Sequence, residues 1–202
     1  MKKLVLVLVL LAGAFYLHTR GNSEPQCNIN GANIVVLGDS IANNYGLNAS
    51  DNFGYKVASK LGKNAIIKGV NGLTTQGLKE RINNDLSGIS DIGAILISIG
   101  GNDVLRSILG SQSASNLKSI LQSAKAKSEC VVVVGVPSGA GQALMGNVAS
   151  FYKEPINDAR ALLDDSSMPY ILKERSLLID QIHPNAAGHE IIANNILGIL
   201  SN

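Results

Sequence analysis

Four apolar runs of strand length, at 33–37, 65–70, 94–99 and 131–136, constrain this chain more than any other feature. They read as near-continuous hydrophobic blocks, VVVVGV being the extreme case, without the polar alternation of a sheet wetted on one face. Such strands must be covered on both faces, which is the condition of a parallel sheet held between two layers of helices. Helical patterns at 55–61, 75–86, 114–127 and 185–200 separate the runs, and this alternation predicts a three-layer α/β/α fold with right-handed crossovers. A weaker apolar run at 168–171 supplies the fifth strand of the expected sheet. At 202 residues and 46% hydrophobic content the chain fills one such core and not two.

The opening stretch MKKLVLVLVLLAGAFYLHTR sets two lysines, an apolar block and small residues in the order of a bacterial export signal. Residues 1–20 are read as that leader, with Ala12, Gly13 and Ala14 fitting the small-x-small cleavage rule. The alternative is a retained anchor at 4–17, which is shorter than the roughly 17 to 25 residues of a spanning helix. A retained leader would be the domain's one membrane contact. Residues 21–31 are polar and punctuated, and read as a linker ahead of a single domain at 32–202. The net charge of +2 comes from scattered charges, with no basic run beyond Lys2 and Lys3, so nucleic acid is not an expected partner. The chain reads as an exported, periplasmic or secreted monomer.

In open parallel sheets, ligands sit beyond the carboxyl ends of the strands, where the strand order reverses. The residues that follow each run are therefore the ones to inspect. Gly38, Asp39 and Ser40 follow the first, Asn71 and Gly72 the second, and Gly100, Gly101, Asn102 and Asp103 the third. Near the C-terminus stands DQIHP, 180–184. A serine needs a base, and the base a third group to fix its tautomer. Of three histidines, His18 lies in the leader and His189 within the apolar period of the last helix, where a structural or surface role is expected. His183 follows Asp180 by three positions, a spacing that puts both side chains on one side of a turn. Standing alone, that pair would read as a turn before a helix with Pro184 at its first position. Gly72 can offer an unobstructed amide, Asn102 its side-chain amide and Ser40 its own N–H to a developing oxyanion, although in isolation Gly72 and Asn102 read as an ordinary turn glycine and turn asparagine. Asp39 and Asp103 adjoin these residues but point the other way on an extended backbone, and read as braces for the loops. The chain contains no G-x-S-x-G elbow, P-loop or zinc-ligand spacing.

GDS at 38–40, NGLTTQGL at 71–78, GGND at 100–103 and DQIHP at 180–184 resemble the ordered blocks of the SGNH (GDSL-type) hydrolase superfamily. The resemblance implies a flavodoxin-like five-stranded parallel sheet and no metal or organic cofactor. It also implies Ser40 as nucleophile, Asp180 and His183 as its triad partners, and Gly72 and Asn102 as oxyanion donors. GGNDVLR is most similar to the small exported bacterial thioesterase I branch, whose members also act as lysophospholipases and arylesterases. Asn44 departs from that branch, standing where a glycine is common before Tyr45, and the segment 170–180 is short.

Two segments should overhang the site: 104–113, with Leu105, Ile108 and Leu109, and the glycine-rich 137–152, with Leu144 and Met145. Their aliphatic character suits the acyl chain of a small ester, although these residues could equally cap the core. No tryptophan and only 4% aromatics give little platform for sugar stacking. The expected activity is hydrolysis of acyl esters, with thioesters and lysophospholipids within reach. The alternatives are a sugar O-acetylesterase and a catalytically silent domain that binds acyl or glycan groups. Cys27 and Cys130 both precede strands, which places them at the amino-end edge of the sheet. Either they pair in an oxidising compartment, or Cys130 is a small buried apolar residue.

Overall fold

A computed structural model describes residues 27–201. The leader and most of the linker read from the sequence lie outside the described residues. Five strands, β1 (Asn33–Gly38), β2 (Asn64–Gly69), β3 (Ile92–Ser98), β4 (Val131–Val134) and β5 (Leu162–Asp164), form one sheet in the order β2-β1-β3-β4-β5. Every neighbouring pair is parallel, so the order reverses between β1 and β3. The central strands β1, β3 and β4 are buried along nearly their whole length, whereas edge strand β2 is half-exposed.

Helices cover both faces of the sheet. One layer holds α1 (Phe53–Lys60), the short α7 (Ser167–Ile171) and α8 (Ala186–Ser201). The other holds α2 (Thr75–Asp85), α4 (Gly110–Lys125) and α6 (Lys153–Ala159). Two more short helices, α3 (Gly101–Leu105) and α5 (Ala140–Leu144), follow β3 and β4. Helix α4 is placed by its pattern: Ser113, Asn116, Leu117, Ile120, Leu121 and Ala124 are its buried residues, at the three- and four-residue spacing of one helix face. Capping fixes where the others start. Asn52 accepts from the Gly54 amide at 2.7 Å and Thr74 from the Gly77 amide at 3.3 Å.

The fifth strand is not at 168–171. That stretch is helix α7, and the strand lies a few residues earlier, at Leu162–Asp164. Asp164 ends the strand and starts the helix, since its Oδ1 accepts from the Ser167 amide at 3.0 Å and its Oδ2 from the Ser167 hydroxyl. A serine pair after an aspartate, with Pro169 in the first turn, is a helix-start signal. A three-residue strand is too short to show a period.

Cys27 and Cys130 form a disulfide, with their Cα atoms 4.7 Å apart. Since β3 separates β1 from β4, the segment leading into β1 must pass beneath the start of β3. It does so at Gly31 and Gly93. A Cβ on Gly31 would fall 2.4 Å from the Gly93 nitrogen, and one on Gly93 would fall 2.5 Å from the Gly31 oxygen. Residues 27–31 are thereby tied to the sheet's amino end. Ser128 adds to the junction by donating to the Gly93 carbonyl at 3.2 Å and accepting from the Cys130 amide at 3.1 Å.

His189, on α8, is 1% exposed. Its Nδ1 accepts from the Phe53 amide at 3.2 Å, and its ring stacks on Phe53 at a centroid distance of 5.9 Å. Burial, helped by the nearby Lys56 ammonium, pushes its pKa down to about 4. It therefore works as a neutral acceptor at the start of α1. On the same helix, Glu190 pairs with Lys56 at 2.8 Å and with Lys60 at 3.1 Å.

Two predictions follow from this packing. Reducing the bridge, which spans 103 residues of sequence, should lower stability by roughly 4 to 5 kcal/mol. The readout is the urea midpoint with and without dithiothreitol, and an unchanged midpoint would contradict the role. For His189 the unfolded chain binds the proton below an ordinary value of 6.5, while the folded chain resists it until about 4. The contribution of His189 is thus present above 6.5 and is lost as pH falls towards 4, by on the order of 3 kcal/mol in all. The stability difference between wild type and His189→Gln should shrink on acidification across that window, as read in paired denaturant titrations.

Candidate active site

The site is built at the reversal point between β1 and β3. Gly38 closes β1 at φ +137°, and a Cβ there would lie 1.8 Å from the Ser98 carbonyl oxygen of β3. That close approach lets the Asp39 amide donate to Ser98 at 2.9 Å and turns the chain so that Ser40 emerges above the sheet. Asp39 points the other way, is buried, and accepts from the Ile41 amide at 3.1 Å. Burial pushes its carboxyl up to about 7, against the pull of the backbone amides around it. Asn44 sits in the same turn at φ +59° and donates to the Asn48 carbonyl. The left-handed region suits glycine and, next to it, asparagine, so the departure at position 44 keeps the backbone conformation.

Asp180 and His183 arrive on a closed loop between α7 and α8. Leu178 and Pro184 form an antiparallel bridge, and the Ile179 amide donates to the His183 carbonyl at 2.9 Å. Asn185, not Pro184, starts the final helix, accepting from the amides of Ala187 and Gly188 at 3.0 and 3.1 Å. Within the loop, Asp180 Oδ1 accepts from the amides of Ile182 and His183, both at 2.9 Å. Its Oδ2 lies 2.7 Å from His183 Nδ1, and Arg175 donates to its carbonyl. Partial desolvation works to raise the carboxyl's pKa, but these amides and the imidazole outweigh it and hold the group at about 2. The carboxylate is therefore ionised throughout the neutral range. His183 Nε2 lies 2.9 Å from Ser40 Oγ, across 143 residues of sequence. The Tyr45 ring flanks the imidazole at 4.5 Å.

Helix α3 and Arg106, just after it, grip the chain from Gly72 to Thr75 at three points. Asn102 Nδ2 donates to the Leu73 carbonyl at 3.0 Å. The buried Asp103 carboxylate accepts from the Thr75 amide at 2.9 Å, from its hydroxyl at 2.5 Å and from Ser113 at 2.9 Å. Arg106 donates to the Gly72 carbonyl at 2.9 Å. Gly72 is held at φ +77°, a conformation that glycine adopts without penalty. Ser40, Gly72 and Asn102 thus line one cleft together with His183.

The cleft has a volume of about 740 Å³, within the range of small-molecule sites. Its walls include Val104 and Leu105 from α3, Ala140, Ala143 and Leu144 from α5, Val136 and Pro137 after β4, and Met168 and Leu172 around α7. Of the five residues expected to meet substrate, Leu105 and Leu144 line the cleft. Ile108, Leu109 and Met145 do not. Ser107 takes a left-handed φ of +54°, which turns the chain away so that Ile108 closes back on the Asp103 carbonyl and Leu109 begins α4. On α5, positions 140, 143 and 144 share one helix face, and Met145 falls outside it. Sequence reasoning did not single out Tyr45, Met168 or Leu172 as cleft residues. The one available signal was the apolar run at 168–171, which suited a strand equally well.

No curated protein matches this chain closely. Among solved structures, TesA is 23% identical over 83% of this chain and 97% of its own, with a TM-score of 0.74. The psychrotrophic esterase EstA from Pseudoalteromonas sp., in a form inhibited by monoethylphosphonate, is 22% identical over 84% and 97%, with a TM-score of 0.69. A variant of Axe2, an acetyl-xylooligosaccharide esterase from Geobacillus Stearmophilus, is 20% identical over 88% and 97%, with a TM-score of 0.70. At these identities the likeness is one of fold. The model of the GDSL-like lipase/acylhydrolase family matches residues 36–191, spanning every block described above, and the chain belongs to that family.

Proposed function

We propose that this protein is a serine esterase that cleaves acyl esters through an acyl-enzyme. The observation that carries the reading is the unbroken relay from Asp180 to His183 to Ser40, at 2.7 and 2.9 Å. Ser40 Oγ attacks the ester carbonyl while His183 Nε2 takes its proton, and the Asp180 carboxylate steadies the imidazolium that forms. The carbonyl oxygen becomes an oxyanion that accepts from the amides of Ser40 and Gly72 and from the Asn102 side chain. Collapse of this intermediate breaks the ester bond, and the leaving alcohol, or the thiol of a thioester, takes the proton from His183. Water then attacks the acyl-Ser40 ester with His183 again as base. The carboxylic acid leaves and the Ser40 hydroxyl is restored.

The cleft's aliphatic walls support a substrate with an acyl chain over one with only an acetyl group. The fold likeness to Axe2 keeps sugar deacetylation as the second reading. The disulfide between Cys27 and Cys130 supports an oxidising compartment, as export through the N-terminal leader would provide.

Ser40→Ala should abolish both hydrolysis of p-nitrophenyl esters and labelling by a fluorophosphonate probe. Labelling that persists in the variant would remove Ser40 from the reaction, and an unlabelled wild type would favour the silent binding domain. Asn102→Ala should lower kcat by about a hundred- to a thousand-fold, checked beside an unchanged circular dichroism spectrum. Across an acyl series, kcat/KM should rise from acetyl to medium-chain esters. A maximum at acetyl, matched by release of acetate from acetylated sugars, would move the assignment to the second reading.

A further inference from the structure

Two residues beside the cleft are exposed without lining it. Leu109 is 72% exposed and Met145 is 64% exposed, yet neither forms part of the cleft wall. Met145 follows Leu144, 72% exposed, and Leu109 lies four residues beyond Leu105, 60% exposed, and both of these leucines line the cleft. The four belong to segments that leave the carboxyl ends of the adjacent strands β3 and β4. They therefore stand at the same, carboxyl end of the sheet as the cleft mouth and form its apolar border. Scattered exposed apolar residues need no explanation, but four of them at the mouth of a site do.

From this border we infer that the cleft mouth docks on an anionic phospholipid surface, with Leu109 and Met145 entering the interface while Leu105 and Leu144 lead from it into the cleft. The inference rests on the acyl-ester reading of the site. Two observations select this occupant. The border is four residues, well short of the roughly 20 to 30 residues a side of a stable dimer, so by itself it does not make an interface with a second copy of the chain. A lipid surface asks for no matching partner and accepts apolar side chains beside cations. The mouth supplies the cation. Of the charged side chains lining the cleft, Asp39 is buried, whereas Lys173 is exposed and has no ion-pair partner among the described residues.

The chain has no tryptophan, so a single substitution creates a site-specific fluorophore in the full-length protein. Leu109→Trp and Met145→Trp report on the proposed face. Glu129→Trp, beside Cys130 at the opposite end of the sheet, reports on the face that a leader-held orientation would bring to the membrane. With phosphatidylglycerol vesicles, emission from positions 109 and 145 should shift to the blue and be quenched by lipids brominated in their acyl chains. Emission from position 129 should do neither. Adding Lys173→Ala to Leu109→Trp should weaken the response to phosphatidylglycerol about five-fold, the effect of one cation near such a surface.

Three outcomes would overturn the proposal: no shift at 109 and 145, equal quenching at 129, or a shift that tracks protein concentration without vesicles alongside a dimeric mass. Docking is read without turnover, so the Ser40→Ala background leaves the measurement intact. A protein that hydrolyses soluble esters but does not dock would refute docking alone. One that docks but fails to react with fluorophosphonate would refute the catalytic reading alone.

Discussion

The approach of β1 to β3 at the end of the sheet is the constraint on which the rest of the site depends. Only a residue without a side chain fits at position 38, where a Cβ would overlap the Ser98 carbonyl. That contact sets the height at which Ser40 leaves the sheet and places it beside the segment that leaves β3 with Asn102. Because the strand order reverses between these two strands, their connections diverge to opposite faces and leave a crevice between them. The cleft is the consequence of that divergence. It is roofed by α3 and α5 and closed on the far side by the loop that carries Asp180 and His183.

The two ends of the sheet divide the work. At the amino end, glycines 31 and 93 let the chain cross beneath β3 so that Cys27 reaches Cys130, and the bridge ties the entry segment to the central strands. At the carboxyl end, polar groups replace covalent ties. Asn102 and Asp103 on one short helix, with Arg106 just after it, hold the backbone of Gly72, Leu73 and Thr75. A buried carboxylate such as Asp103 is tolerated because amide and hydroxyl donors surround it. The carboxyl end, where the cleft opens, is thus held by hydrogen bonds, and the amino end by packing and a disulfide.

The two histidines of the domain show how surroundings divide one residue type between two uses. His189 is enclosed, its Nδ1 is occupied by the Phe53 amide, and burial keeps it neutral. His183 sits on a loop with one ring nitrogen against a carboxylate and the other against a hydroxyl. That arrangement sets Nδ1 against the Asp180 carboxylate and Nε2 against the Ser40 hydroxyl. The pattern of the final helix already separated them, since His189 falls on its apolar period and His183 precedes its start.

The strand runs and the polar blocks were legible in the sequence because each is a local feature. A strand buried on both faces needs a continuous apolar run, and a strand-end site needs its polar residues just beyond that run. The three-residue β5, the helical state of 168–171 and the turning away of Ile108, Leu109 and Met145 were not legible in the same way. They depend on which neighbour each segment meets: Asp164 capping α7, Ser107 reversing the chain after α3, and α5 presenting one face to the cleft. The sequence by itself determined the layered α/β architecture and the identity of the polar residues at the strand ends, since hydropathy period and turn chemistry act over a few residues. Only the tertiary structure decided that Ser40 and His183, far apart in the chain, stand 2.9 Å from each other, and which aliphatic residues face the cleft, because those distances are set by packing between elements that the chain brings together only when folded.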